Sequence, residues 1–208
     1  MATQTLTKPK QDQTAEEKVQ QLRQLYADAP QYVKTALENT LAELTSQASK
    51  QQAPMESAGR KGIRQGKVSE FAFIAPFAPG GAKRLHALLQ LRDGNFSDTD
   101  RVGTVHDMRF VFLDNDTKLL FATAYDGQWD PYIEDFATKI TDQMDVIFSA
   151  CEGWPGIHSV AATKDWIAEH QIAAEGWYVA HPDLTVAETS RVKRVAKAVD
   201  EFLDQIGT

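Results

Sequence analysis

Apolar residues recur at regular spacings along the chain, and these spacings predict its secondary structure. Near the N-terminus, Thr14 and Glu17 form a capping-box pattern that opens a run of apolar residues at helical spacing. Pro30 stands where a second helix would begin, since the first turn of a helix needs no N–H from that residue. The pattern predicts a helical extension over residues 14–50, preceded by a disordered tail over residues 1–13. The apolar stripes of the extension need a cover, either the main domain or a partner that the extension binds.

Residues 51–67 are polar and predict a linker between the extension and the main domain. The surrounding segment carries four basic side chains: Arg60, Lys61, Arg64 and Lys67. In an acidic protein these charges suit either an acidic partner or phosphate, or simply a solvated loop.

From residue 68 to residue 208 the periodicity alternates between strands and helices and predicts one α+β domain. Strands are predicted over residues 68–76, 101–113, 118–125 and 174–180, and helices over residues 83–91, 128–150, 164–170 and 186–206. A βαββαβ order is typical of the ferredoxin-like arrangement, in which helices cover one face of a four-stranded antiparallel sheet. The strands are apolar on both faces, so the uncovered face predicts a homodimer in which two sheets pack together.

Composition narrows the function. The formal net charge of −7 argues against nucleic-acid binding, which needs a basic surface. No apolar run approaches the roughly 20 residues of a membrane-spanning helix, and the N-terminus lacks the apolar core of a secretory signal. The single cysteine, Cys151, allows no internal disulfide. These features predict a soluble, cytoplasmic protein.

The densest set of chemically capable side chains lies between Val102 and Phe136. It consists of His106, Asp107, Arg109, Tyr125, Asp126 and Trp129. His106 and Arg109 are the candidate catalytic residues. Strand alternation places them on opposite faces of the sheet unless a bulge intervenes.

Each candidate has a structural and a functional interpretation. His106 is either a core histidine or a base or haem ligand. Arg109 either forms an ion pair, with Asp107 nearest in sequence, or holds a carboxylate or a haem propionate.

Tyr125, Asp126 and Trp129 are the candidate ligand-binding residues, at the turn from strand to helix. Asp126 or Asp130 would alternatively cap that helix. Trp129 either closes a pocket or packs against the helix that it opens.

The other chemically capable residues give weaker evidence for a functional site. Glu134 and Asp135 are consecutive on a helix and cannot work as a carboxylate pair. The remaining histidines share no metal-ligand spacing, so no metal site is predicted apart from His106 if haem binds. Cys151 lies near a helix C-terminus, which does not activate a thiol. The pair Gly80–Gly81 suits either a plain turn or a phosphate cradle.

Three segments of the chain carry a family resemblance: FAFIAPFAPGGAKRLHALL, VGTVHDMRFVFLD and LLFATAYDGQWDPYIEDF. They resemble an uncharacterised bacterial family of the dimeric α+β barrel superfamily, over roughly residues 68–156. That superfamily includes haem-degrading and quinol-forming monooxygenases, chlorite dismutases and dye-decolourising peroxidases. The resemblance implies a homodimer and makes haem a candidate cofactor. The haem-degrading branch carries its histidine ligand on the helix that matches residues 129–145, and this chain has no histidine there.

Two functions are therefore expected. The first is a protein that binds a small ligand or another macromolecule without catalysis. The alternative is a haem-dependent oxidoreductase, like a peroxidase or monooxygenase, that acts on a small hydrophobic substrate through His106 and Arg109.

Overall fold

The computed structural model describes residues 14–46 and 55–207, and the chain divides into two compact units between Gln52 and Ala53. The predicted disordered tail over residues 1–13 lies outside the described residues. No helix in the described ranges is long and apolar enough to cross a membrane.

The first unit contains helices α1 (Ala15–Leu25) and α2 (Gln31–Ser46), which confirms the two predicted helices. The capping box that opens α1 is present, with the Thr14 amide donating to Glu17 over 2.8 Å and the Glu17 amide donating to Thr14 over 3.2 Å. Arg23 of α1 grips the carboxylate of Glu38 of α2 with two hydrogen bonds of 2.8 and 2.9 Å.

The second unit, as far as the structure describes it, combines six strands in one antiparallel sheet with five α-helices. The strands are β1 (Met55–Gly59), β2 (Gly62–Gln65), β3 (Val68–Pro76), β4 (Val105–Leu113), β5 (Lys118–Asp126) and β6 (Gln171–Ile172). The helices are α3 (Gly81–Arg92), α4 (Trp129–Lys139), α5 (Thr141–Phe148), α6 (Val160–His170) and α7 (Val186–Ile206). Strands run in the order β1-β2-β3-β5-β4, and β6 pairs with β3. The predicted α+β class is therefore confirmed.

Aromatic side chains fill the core between the sheet and helices α3 to α6. The rings of Phe71 and Phe73 on β3 lie 5.8 and 5.4 Å from the ring of Phe121 on β5. Helix α4 adds Phe136 and helix α6 adds Trp166, both buried. The burial of this apolar surface is the main source of stability for the unit.

The opposite face of the sheet is only partly covered. Ala72, Ile74, Leu120 and Ala122 alternate with the core residues and are half-buried. Val111, which pairs with Leu120, is 43% exposed. This open apolar face is the surface through which the sequence predicts a homodimer.

Residues 55–67 differ from the predicted linker, because they form the hairpin β1–β2 and the turn into β3. The hairpin closes through Arg60 and Lys61, and Arg60 has a positive φ of 53°. Gly62 packs too closely on the backbone of Glu70 for a side chain to fit. The polar sequence reflects an edge hairpin with a largely exposed outer strand, and such a hairpin lacks the apolar run that marks a central strand.

Two further predicted elements also differ. The predicted strand over residues 174–180 is absent, and the two-residue strand β6 pairs with β3 instead. Gly176 interrupts the segment, and Tyr178 is 76% exposed rather than packed in a sheet. The predicted helix over residues 128–150 breaks at Ile140, whose φ of −138° and ψ of 43° lie outside the helical region.

Candidate functional site

A β-bulge at His106 sets the geometry of the candidate site. Val105 pairs with Tyr125 and Asp107 pairs with Ala124, so His106 is an extra residue with no partner across the ladder. The imidazole Nε2 of His106 lies 2.7 Å from Oδ1 of Asp126. Because the bulge intervenes, simple alternation does not decide where His106 points.

The carboxylate of Asp126 joins this bulge to the start of α7. Its second oxygen, Oδ2, accepts a hydrogen bond of 2.9 Å from the amide of Val186, the first residue of the helix. Its side chain is only 11% exposed. Asp126 therefore binds the first turn of α7, whose N-cap residue is Thr185. The N-cap of α4 is Gln128 with no side-chain bond, so the prediction that Asp126 or Asp130 caps α4 is wrong.

Lys67, in the turn between β2 and β3, also contacts the first turn of α7. Its Nζ donates to both carboxylate oxygens of Glu188, at 2.6 and 2.8 Å, and its amide donates to the carbonyl of Pro182 over 2.7 Å. Glu188 also completes a capping box with Thr185. Lys67, together with the amide and hydroxyl of Thr185, lowers the pKa of Glu188 to about 2.

These contacts form one structure, which we name the α7 anchor. It consists of Lys67, His106, Asp126, Thr185 and Glu188. The sequence pointed to His106 and Asp126, and it named Lys67 only as one of four basic side chains suited to an acidic partner, a phosphate or a solvated loop. It did not point to Glu188. The Thr185–Glu188 spacing is the signal that could have identified Glu188 as part of a cap on α7, because it repeats the capping-box pattern of Thr14–Glu17.

Arg109 stands apart from the α7 anchor. Its Nε lies 3.5 Å from Oδ1 of Asp107, and its side chain is 64% exposed. The predicted ion pair with Asp107 is confirmed, but it lies on the open face of the sheet and not in the core. An exposed pair of this kind contributes little to stability.

Tyr125 and Trp129 are fully buried in the core. The ring of Tyr125 stacks on that of Tyr132 with centroids 3.8 Å apart, and burial raises the pKa of Tyr125 well above its usual value. Trp129 lies under the guanidinium of Arg60, 5.1 Å from the ring centroid, and packs against Gly59. Neither ring lines an open pocket, so both have a packing role in the described structure.

His106 lines neither of the two small cavities found in the described core. Ligand pockets typically hold roughly 300 to 1,000 Å³, whereas the two cavities in the described core measure about 10 Å³ each. The Nε2 atom of His106 already contacts Asp126.

Other reactive groups are equally constrained. Burial raises the pKa of the Cys151 thiol to about 12, which keeps it protonated and unreactive at neutral pH. Within residues 14–46 and 55–207, no group of three or more metal-ligating side chains comes together. Gly81 is explained by packing, since a Cβ there would collide with the carbonyl oxygen of Ala150.

An open groove of about 850 Å³ runs between the first turns of α3 and the turn that joins β4 to β5. Its walls include Lys83, His86, Phe112 and Asp116. The groove has the volume of a ligand site, but the described side chains in it form no constellation of catalytic groups.

The most unusual surface of the second unit is α7 itself. None of its 21 residues is buried. Its apolar side chains are exposed by 49% to 64%, namely Val192, Val195, Val199, Phe202, Leu203 and Ile206. The sequence predicted the bounds of this helix correctly.

Comparison of the chain with known protein families, with curated proteins and with solved structures found no match in any of the three.

Proposed function

We propose that this protein is a non-enzymatic interaction protein whose binding surface is the apolar stripe of α7. The observation that carries the proposal is the exposure of six large apolar side chains along one helix. An amphipathic helix normally buries such a stripe against another element. Exposed apolar patches of this kind mark protein–protein interaction sites.

The α7 anchor supports the same function. His106 and Asp126, the residues best suited to acid–base chemistry, hold the first turn of α7. Lys67 and Glu188 fix the same turn from the other side. In this proposal the chemically capable cluster orients a binding helix and performs no reaction.

We also infer that the sheet has a ferredoxin-like arrangement. The order β6-β3-β5-β4, with every pair antiparallel, supports this inference, although β6 is only two residues long. Pairing of two sheets through the face that carries Val111 is the competing interface that the dimeric α+β barrel resemblance implies, and Val111→Glu distinguishes it from assembly through α7.

A size measurement in extracts of the protein's native cells tests the proposed function. The wild-type chain should elute in an assembly larger than its own 23.1 kDa. Val199→Glu, which places a charge in the α7 stripe, should elute as a monomer. Val111→Glu is the matched control, because Val111 has a similar exposure of 43% against 49% for Val199. Monomeric elution of the wild type would contradict the proposal, as would an unchanged assembly in Val199→Glu.

Binding of a small ligand in the groove beside α3 is a second candidate function, supported by the groove's volume of about 850 Å³. Fragment screening by NMR tests it, and hits should shift the signals of Lys83 and His86.

The haem alternative is tested by titration of haem into the purified chain. A Soret band that is lost in His106→Ala would support it.

A further inference from the structure

We draw no further inference here: the strongest candidate, the exposed apolar stripe along helix α7, belongs to the binding surface already proposed, and nothing in the structure shows what covers it.

Discussion

At the scale of single residues, His106 and Asp126, which look the most reactive in the sequence, hold the start of helix α7 in place. Asp126 accepts bonds from opposite directions, facing His106 with one oxygen and Val186 with the other. A partly buried carboxylate with both oxygens occupied is suited to positioning rather than to proton transfer. Asp126 therefore serves to position the first turn of helix α7.

Asp126→Ala should therefore loosen the start of α7. The substitution leaves the amide of Val186 and the imidazole of His106 without their acceptor, which costs about 1 to 3 kcal/mol. Amide hydrogen exchange measured by NMR should be faster for the first turn of α7. Asp165→Ala, at an exposed position on α6, is the control and should change nothing. Unchanged exchange at Val186 in Asp126→Ala would refute the anchoring role.

Glu70, in contrast to Asp126, is a carboxylate whose charged form is destabilised by burial. It is 7% exposed, and burial raises its pKa. A raised carboxyl pKa means that stability is lost as the pH rises, because the folded chain must carry a buried charge.

Glu70→Gln should raise the melting temperature at pH 7 by about 1 to 3 °C. The amide oxygen of glutamine can still accept the hydrogen bond that Ile63 donates to Glu70. The gain should vanish at a pH below the pKa of an ordinary glutamate, where Glu70 is protonated in both the folded and the unfolded chain. Calorimetry at the two pH values checks this, and a lower melting temperature for the variant at pH 7 would contradict it.

The sequence identified His106 and Asp126 as candidate site residues, but it did not predict what they do. His106 and Asp126 were named as candidates because of their chemistry, and they do contact each other. The contact between them depends on the bulge at His106, and the role of Asp126 depends on helix α7, which begins 60 residues further along the chain. A local sequence pattern encodes neither. Tyr125 and Trp129 were proposed as ligand contacts, but both are fully buried in the core.

At the scale of elements, the strongest local patterns gave the best boundaries. Strand β3 and helix α7 have the predicted bounds, because an uninterrupted apolar strand and a capped amphipathic helix are both distinctive. The hairpin β1–β2 was missed because its pattern is polar and its strands are short. The strand predicted over residues 174–180 failed because its aromatic residues do not alternate into a sheet.

The attachment of α7 should depend on pH through Glu188. The pKa of Glu188 falls to about 2 in the folded chain, from about 4.3 in an unfolded one. The contribution of its contacts is therefore complete above about pH 4.3 and is lost as the pH falls through about 2. NMR titration of the Thr185 and Glu188 amides should show this window, and Glu188→Gln should abolish it. A midpoint near pH 4.3 in the wild type would contradict the pairing with Lys67.

The close approach of α3 to the segment after α5 predicts a steric effect. Gly81→Ala should lower the free energy of unfolding by about 1 to 3 kcal/mol, because the added Cβ meets the carbonyl of Ala150. Gly176→Ala is the matched control, since nothing lies within 4 Å of a Cβ at that position. Urea denaturation of both variants provides the comparison, and equal stability of the two would contradict the contact.

At the scale of the whole molecule, the second unit leaves two apolar surfaces open, the sheet face around Val111 and the stripe of α7. The sequence predicted a cover for the first and overlooked the need for the second. Periodicity shows that a helix has an apolar side, but it does not show whether that side meets its own core or another molecule.

Hydrogen exchange along α7, measured for the purified chain and for the chain in an extract of its native cells, tests the proposed function most directly. We predict that the amides from Val192 to Ile206 are more protected in the extract, while those of the buried helix α4 do not change. Protection of α7 that is equally low in both conditions would contradict the proposed function, because the stripe would then remain exposed to water.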